Sequence, residues 1–176
     1  MDNKTLERIG NLHPKIRQKV LDAYLDINNR KLGKGVRLRL SHTTRTFKEQ
    51  NDLYAIGRTK PGRKVTNAKG GQSIHNYSLA WDIVLLLDKN GDGLFEEASW
   101  DTLKDFDGDG ESDWMEVVRG FKAIGAEWGG DWKSFKDYPH FQLDFGLKAS
   151  EMKSKIDKGD FTTEVINGVK YKYINI

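Results

Sequence analysis

The run Leu79-Ala-Trp-Asp-Ile-Val-Leu-Leu-Leu87 puts a single charge, Asp82, inside an otherwise apolar segment. Its length and its β-formers fit a strand covered on both faces, the middle of a sheet. A carboxylate there is costly unless it is paired, hydrogen-bonded or bound to a cation. Backbone hydrogen bonds or an outward-facing edge position would also accommodate it, and the run alone leaves these solutions open.

The flanking segments supply the rest of a fold. Pro14 suits a first helical turn, and Ile16, Val20, Ala23, Tyr24 and Ile27 recur at helical spacing, which predicts a helix over roughly 14–30. Val36, Leu38 and Leu40 alternate with polar residues as a half-buried strand does. Thr46 and Glu49 form a capping box ahead of a helix that Gly57 ends. Residues 58–72 read as a long basic loop, 114–124 as a helix, and His140 to Phe145 as an alternating strand. Asn167-Gly168 between β-formers signals a hairpin. The expected architecture is α+β, one domain with a central antiparallel sheet and flanking helices. Residues 1–150 would form the main body and 151–176 a C-terminal tail carrying the hairpin.

Composition narrows the function classes. There is no cysteine, which excludes disulfides, zinc ribbons and thiol nucleophiles. A net charge of +3 is far below the concentrated basicity of a nucleic-acid binder. No segment approaches the roughly 20 apolar residues of a membrane span, and Met1-Asp-Asn-Lys-Thr-Leu-Glu-Arg8 has no signal-peptide pattern. The expectation is a monomer, cytoplasmic when synthesised, that reaches any outside target by release or export.

Only four histidines exist, His13, His42, His75 and His140, and two of them keep unusual company. Ser73-Ile-His75-Asn-Tyr-Ser-Leu-Ala-Trp-Asp82 and Asp137-Tyr-Pro-His140 together hold His, Asp and His with a spare carboxylate. That is the inventory of a catalytic zinc site, three ligands and a base. Taken singly, each residue has a plain reading: His75 as a solvated loop residue, His140 as a satisfied core histidine, Asp137 as a turn residue. The weight lies in the combination.

The pattern Ser-x-His-x(6)-Asp followed by Asp-x-x-His resembles the zinc peptidases of bacterial cell walls. These are the D-alanyl-D-alanine carboxypeptidases and dipeptidases and the L-alanyl-D-glutamate endopeptidases, phage endolysins among them. The resemblance runs from about Ser41 to Phe141. It includes Arg45-Thr-Phe-Lys-Glu-Gln50, Gly57-Arg-Thr-Lys-Pro-Gly62, Thr66-Asn-Ala-Lys-Gly-Gly71 and Glu127-Trp-Gly-Gly-Asp-Trp132. It is densest toward the L-alanyl-D-glutamate endopeptidases. The chain has Ser78 where the family usually has glycine, and Thr43-Thr44 where Gly-Tyr is common.

The resemblance implies a zinc peptidase in residues 1–150 acting on the peptidoglycan stem peptide. His75, Asp82 and His140 would be zinc ligands, Asp137 the general base and Arg45 the group that steadies the carbonyl oxygen. Ser73 and Gln50 fall on recurring positions and would contact substrate. A D-alanyl-D-alanine carboxypeptidase and a non-catalytic wall-binding module on the same fold are the competing functions.

Asp105-Phe-Asp107-Gly-Asp109-Gly110-Glu111-Ser-Asp113-Trp-Met-Glu116 fits an EF-hand calcium loop, with oxygen donors at positions 1, 3, 5 and 9, glycine at 6 and glutamate at 12. Asp105, Asp107, Asp109, Glu111 and Glu116 are the expected calcium group, against the plainer reading of a polar Asp-Gly turn. The stretch from Asp88 begins alike but has Ser99 at position 12, and reads first as a hairpin turn.

Overall fold

The computed structural model describes residues 2–176. Two helices open the chain, α1 (Asn3–Gly10) and α2 (Pro14–Asp26). The sequence reading had no element for α1, which buries Thr5 and Ile9. The helix expected to reach residue 30 instead widens into a π-turn at Ile27–Lys31, where the Asn28 side chain accepts the Leu38 backbone N–H at 2.9 Å.

β1 (Val36–His42) then runs antiparallel to β2 (Ala80–Leu87), Val36 opposite Leu87 and His42 opposite Asp82. Between them lie α3 (Phe47–Ala55), closed at its start by the Thr46–Glu49 capping box, and a 3-10 turn at Ile74–Tyr77. β2 is the apolar run, and it is central. Its odd positions Trp81, Ile83, Leu85 and Leu87 join the main core with Val20, Ile27, Leu38 and Phe121. Its even positions face the other way, where Ala80, Val84 and Leu86 are buried and Asp82 is half-buried.

The far edge of β2 is divided. Its C-terminal half pairs with β3 (Glu97–Ser99), so residues 88–96 form the turn of a hairpin. Its N-terminal half pairs with β5 (His140–Gln142), with Asp82 directly opposite His140. Between these partners come α4 (Asp113–Ala123) and the short β4 (Glu127–Trp128), which pairs with β5. α4 buries Trp114, Val117, Val118 and Phe121. Phe121 meets Trp81 and Phe141 at ring-centroid distances of 5.2 and 5.0 Å.

β5 is shorter than the expected His140–Phe145 strand. Asp144 accepts the Gly146 N–H at 2.9 Å and Phe145 takes a φ of 56°, which turns the chain away from the sheet. After α5 (Ala149–Asp157), β6 (Phe161–Ile166) and β7 (Val169–Ile174) make the expected hairpin around Asn167 and Gly168, both with positive φ. The hairpin docks on the α1–α2 junction: Arg17 binds Glu164 through both guanidinium nitrogens, and His13 reaches the Ile174 carbonyl at 2.9 Å. Among the described residues no helix is long and apolar enough to cross a membrane.

Candidate metal centre and cleft

Strand register sets Asp82 and His140 side by side on one face, and the 3-10 turn ahead of β2 brings His75 over them. His75 Nε2 lies 3.2 Å from Asp82 Oδ1 and 3.2 Å from His140 Nδ1, and the latter is 3.4 Å from Asp82 Oδ1. Two donors each about 2.0–2.1 Å from a tetrahedral zinc stand about 3.3–3.4 Å apart, so the three atoms already have the spacing of zinc ligands.

The other ring nitrogens fix which atoms face inward. His75 Nδ1–H donates to the Thr43 carbonyl at 2.6 Å, and His140 Nε2–H donates to Gln142 Oε1 at 2.9 Å. In its neutral form each ring therefore turns a lone pair toward the shared point, next to a carboxylate oxygen. Three acceptors facing one another call for a proton or a metal cation among them. Gln142 is held in turn by Glu127 and Asp144, to which its amide donates at 3.1 and 2.8 Å. The residues present fit a metal.

The charges agree with this geometry. Burial works against the charge on Asp82, yet the adjacent His75 and His140 rings outweigh it and hold the carboxyl well below its ordinary pKa. Burial also opposes a charged His140, but Asp82 beside it pulls the ring's pKa upward.

The centre forms the floor of a cleft of about 550 Å³, and Arg45, Ser73, Trp132, Phe135 and Asp137 are among its walls. Asp137 is half-buried, and its pKa is raised by burial and by the negative Asp82, against the pull of the histidines and Arg45. Its main chain crosses Gly129 so closely that a Cβ there would sit 2.4 Å from the Asp137 carbonyl oxygen. Gly129 thus lets the Asp137 loop come down to the cleft. Arg45 places Nη2 3.8 Å from Asp82 Oδ2, and its buried Nε has no partner among the described residues.

Gln50 corrects one expectation. It is fully buried, donates to the Ala68 carbonyl and accepts from Arg45 Nη1 at 2.9 Å, so it holds the arginine and the long loop rather than touching substrate. Ser73 does reach the cleft. Of the tryptophans, Trp128 is core, its indole N–H donating to the Tyr138 carbonyl, whereas Trp132 lies against His140. The sequence reading missed Gln142 and Gly129. Gln142 had a signal, since in an alternating strand it shares the face of His140 two residues earlier.

The acidic loop lies apart from this cleft. Asp105, Asp107 and Asp113 converge, as do Asp107, Asp109 and Glu116. Glu111 does not join them, because its carboxylate pairs with Arg119.

The chain is similar to known proteins to different extents. A family model described as D-alanyl-D-alanine carboxypeptidase matches residues 66–143, the span containing His75, Asp82, Asp137 and His140. The peptidoglycan L-alanyl-D-glutamate endopeptidase CwlK of Bacillus subtilis (strain 168) is 45% identical over 134 residues, 76% of this chain and 74% of that protein. The L-alanyl-D-glutamate peptidase of Listeria phage A118 is 29% identical over 135 residues, 70% of this chain but 43% of the phage protein. The crystal structure of the Serratia marcescens L-Ala D-Glu endopeptidase ChiX shares the fold, with a TM-score of 0.52 over 82% of this chain and 90% of that one, at 22% identity.

Proposed function

This chain belongs to the peptidase M15 family, and on that premise we propose that it is a zinc-dependent peptidoglycan hydrolase cutting the stem peptide between L-alanine and D-glutamate. The observation that carries the metal is the meeting of His75 Nε2, His140 Nδ1 and Asp82 Oδ1 within 3.4 Å. The observation that carries the bond is the 45% identity to an endopeptidase of that specificity.

Zinc held by these residues supplies Lewis acidity and makes a nearby water more acidic. Asp137 takes the proton of the attacking water on its carboxylate and passes a proton to the leaving amine. Arg45, held by Gln50 and lining the cleft, steadies the oxygen on which negative charge develops. Ser73 on the cleft wall contacts the stem peptide. We assign catalysis to residues 1–150, with 151–176 bracing the α1–α2 junction.

Mass spectrometry of purified peptidoglycan digested by the zinc-loaded chain tests this reading. New L-alanine C-termini and D-glutamate N-termini from wild type, absent with Asp137→Ala, are the expected result. Free D-alanine would instead select the D-alanyl-D-alanine carboxypeptidase reading, which the description of the matching family model favours. No cleavage by folded, zinc-loaded protein would leave a wall-binding module.

A further inference from the structure

The Asp105–Glu116 segment holds chemistry that the peptidase cleft does not use. Asp105, Asp107 and Asp113 offer oxygens within 4.8 Å of one another, as do Asp107, Asp109 and Glu116. Oxygens at about 2.4 Å on opposite sides of a calcium ion stand about 4.8 Å apart. Two of these acids lie inside the protein, Asp113 at 0% and Glu116 at 6% exposure. Asp113 Oδ1 and Glu116 Oε2 are buried with no hydrogen-bond partner among the described residues. A buried carboxylate oxygen without a donor is costly, and a second and third carboxylate beside it add to the cost. Arg119, on the next turn of α4, pairs with Glu111 instead.

The loop backbone is held by its own acids. Asp105 accepts the N–H groups of Gly108 and Gly110 at 2.6 and 2.9 Å, and Gly110 turns the chain at a φ of 96°. Asp107 also accepts the Gly33 N–H at 2.6 Å, which ties the loop to the chain ahead of β1. Asp113 and Glu116 sit in the first turn of α4, and each places a carboxylate oxygen within 4.8 Å of oxygens of the loop acids.

We infer that this loop binds one calcium ion through carboxylate oxygens of Asp105, Asp107, Asp109, Asp113 and Glu116. The donor set is all oxygen, which selects a hard cation and sets it apart from the imidazole-rich centre in the cleft. Without a cation, burial and the neighbouring carboxylates push Asp113 up to about 6 and Glu116 up to about 7. The ion would fasten the start of α4, whose Phe121 packs against Trp81 and Phe141. Those two residues adjoin Asp82 and His140 in the chain, so calcium braces the back of the strands that carry the metal centre. This inference does not depend on which peptide bond the cleft cuts.

Isothermal titration of calcium chloride into protein stripped of metals with EGTA, freed of the chelator and reloaded with zinc, tests it alongside thermal melts. The expected result is one calcium per chain and a melting temperature about 5–10 °C higher at saturating calcium. Asp109→Asn, an exposed position, and Glu116→Gln should each weaken binding about tenfold or more while zinc content stays the same. In calcium-free buffer Glu116→Gln should melt no lower than wild type, because it removes a repelling charge. Absence of calcium binding overturns the inference. So does an equal calcium response from wild type and both variants, or magnesium binding as tightly as calcium.

Discussion

Three of the four histidines are buried to nearly the same degree, His13 at 5%, His75 at 3% and His140 at 6% exposure, yet they sit in two different kinds of place. At the junction of the helices and the C-terminal hairpin, both nitrogens of His13 are used by the main chain. Nδ1 accepts the Lys15 N–H and caps α2, while Nε2–H donates to the Ile174 carbonyl. In the cleft, His75 and His140 each spend one nitrogen on a fixed acceptor and aim the other at a common point. Burial alone therefore does not distinguish a structural histidine from a ligand. The unclaimed nitrogen does.

That contrast predicts its largest effect at the unclaimed nitrogens. His140→Ala should bring peptidoglycan cleavage to background and zinc content below one per chain, with a circular dichroism spectrum like wild type. Retention of full zinc would show that the three-atom cluster is not the binding site. Asp137→Ala should separate chemistry from metal binding: a kcat lower by about 10²–10⁴-fold with zinc fully retained. An unchanged rate would remove Asp137 as the base. Gln142→Leu deletes the acceptor that orients His140, and metal-competition assays should then give a zinc affinity about 10–100-fold weaker. No change would mean that the strand alone fixes the ring.

The smallest effect belongs to His13. Burial, helped by Lys15 and Arg17, lowers its pKa below the ordinary value despite the Ile174 carbonyl. The unfolded chain thus binds the proton more readily than the folded one. The stability that the neutral ring contributes is complete above the unfolded pKa of about 6.5 and is lost as pH falls through the lower folded value. Melting temperatures from pH 7.5 to 5 should fall more in wild type than in His13→Asn, a variant that keeps a capping side chain. Parallel curves would mean that His13 does not titrate across that range.

Much of this could be read in the chain because the signals were local. The apolar run around Asp82 announced a strand covered on both faces, the Thr46–Glu49 box fixed the start of α3, and Asn167-Gly168 placed the hairpin. The cleft residues were legible through the pattern around His75, Asp82 and His140, which the fold then brought together. What escaped depended on contacts between distant segments. Gln50 is a polar residue at a fully buried site because Arg45 and the Ala68 carbonyl meet it there. Gly129 matters only because the Asp137 main chain passes over it. Asp113 carries an unsatisfied oxygen that no spacing rule reveals, while Glu111 lies next to the loop acids in sequence and turns to Arg119.

The divided edge of β2 has a consequence for how such a chain diversifies. His140 returns to Asp82 only after the chain has left the sheet at Leu87 and travelled through residues 88–139. Two of the three side chains of the candidate metal centre are thus spatial neighbours bracketing a long excursion, and that excursion's near end leaves from the half of β2 remote from them. Lengthening, trimming or replacing its outer loops would leave the register of Asp82 and His140 untouched. The Asp105–Glu116 loop is one such outer segment, and its hold on the cleft runs only through α4 and the packing of Phe121 on Trp81 and Phe141.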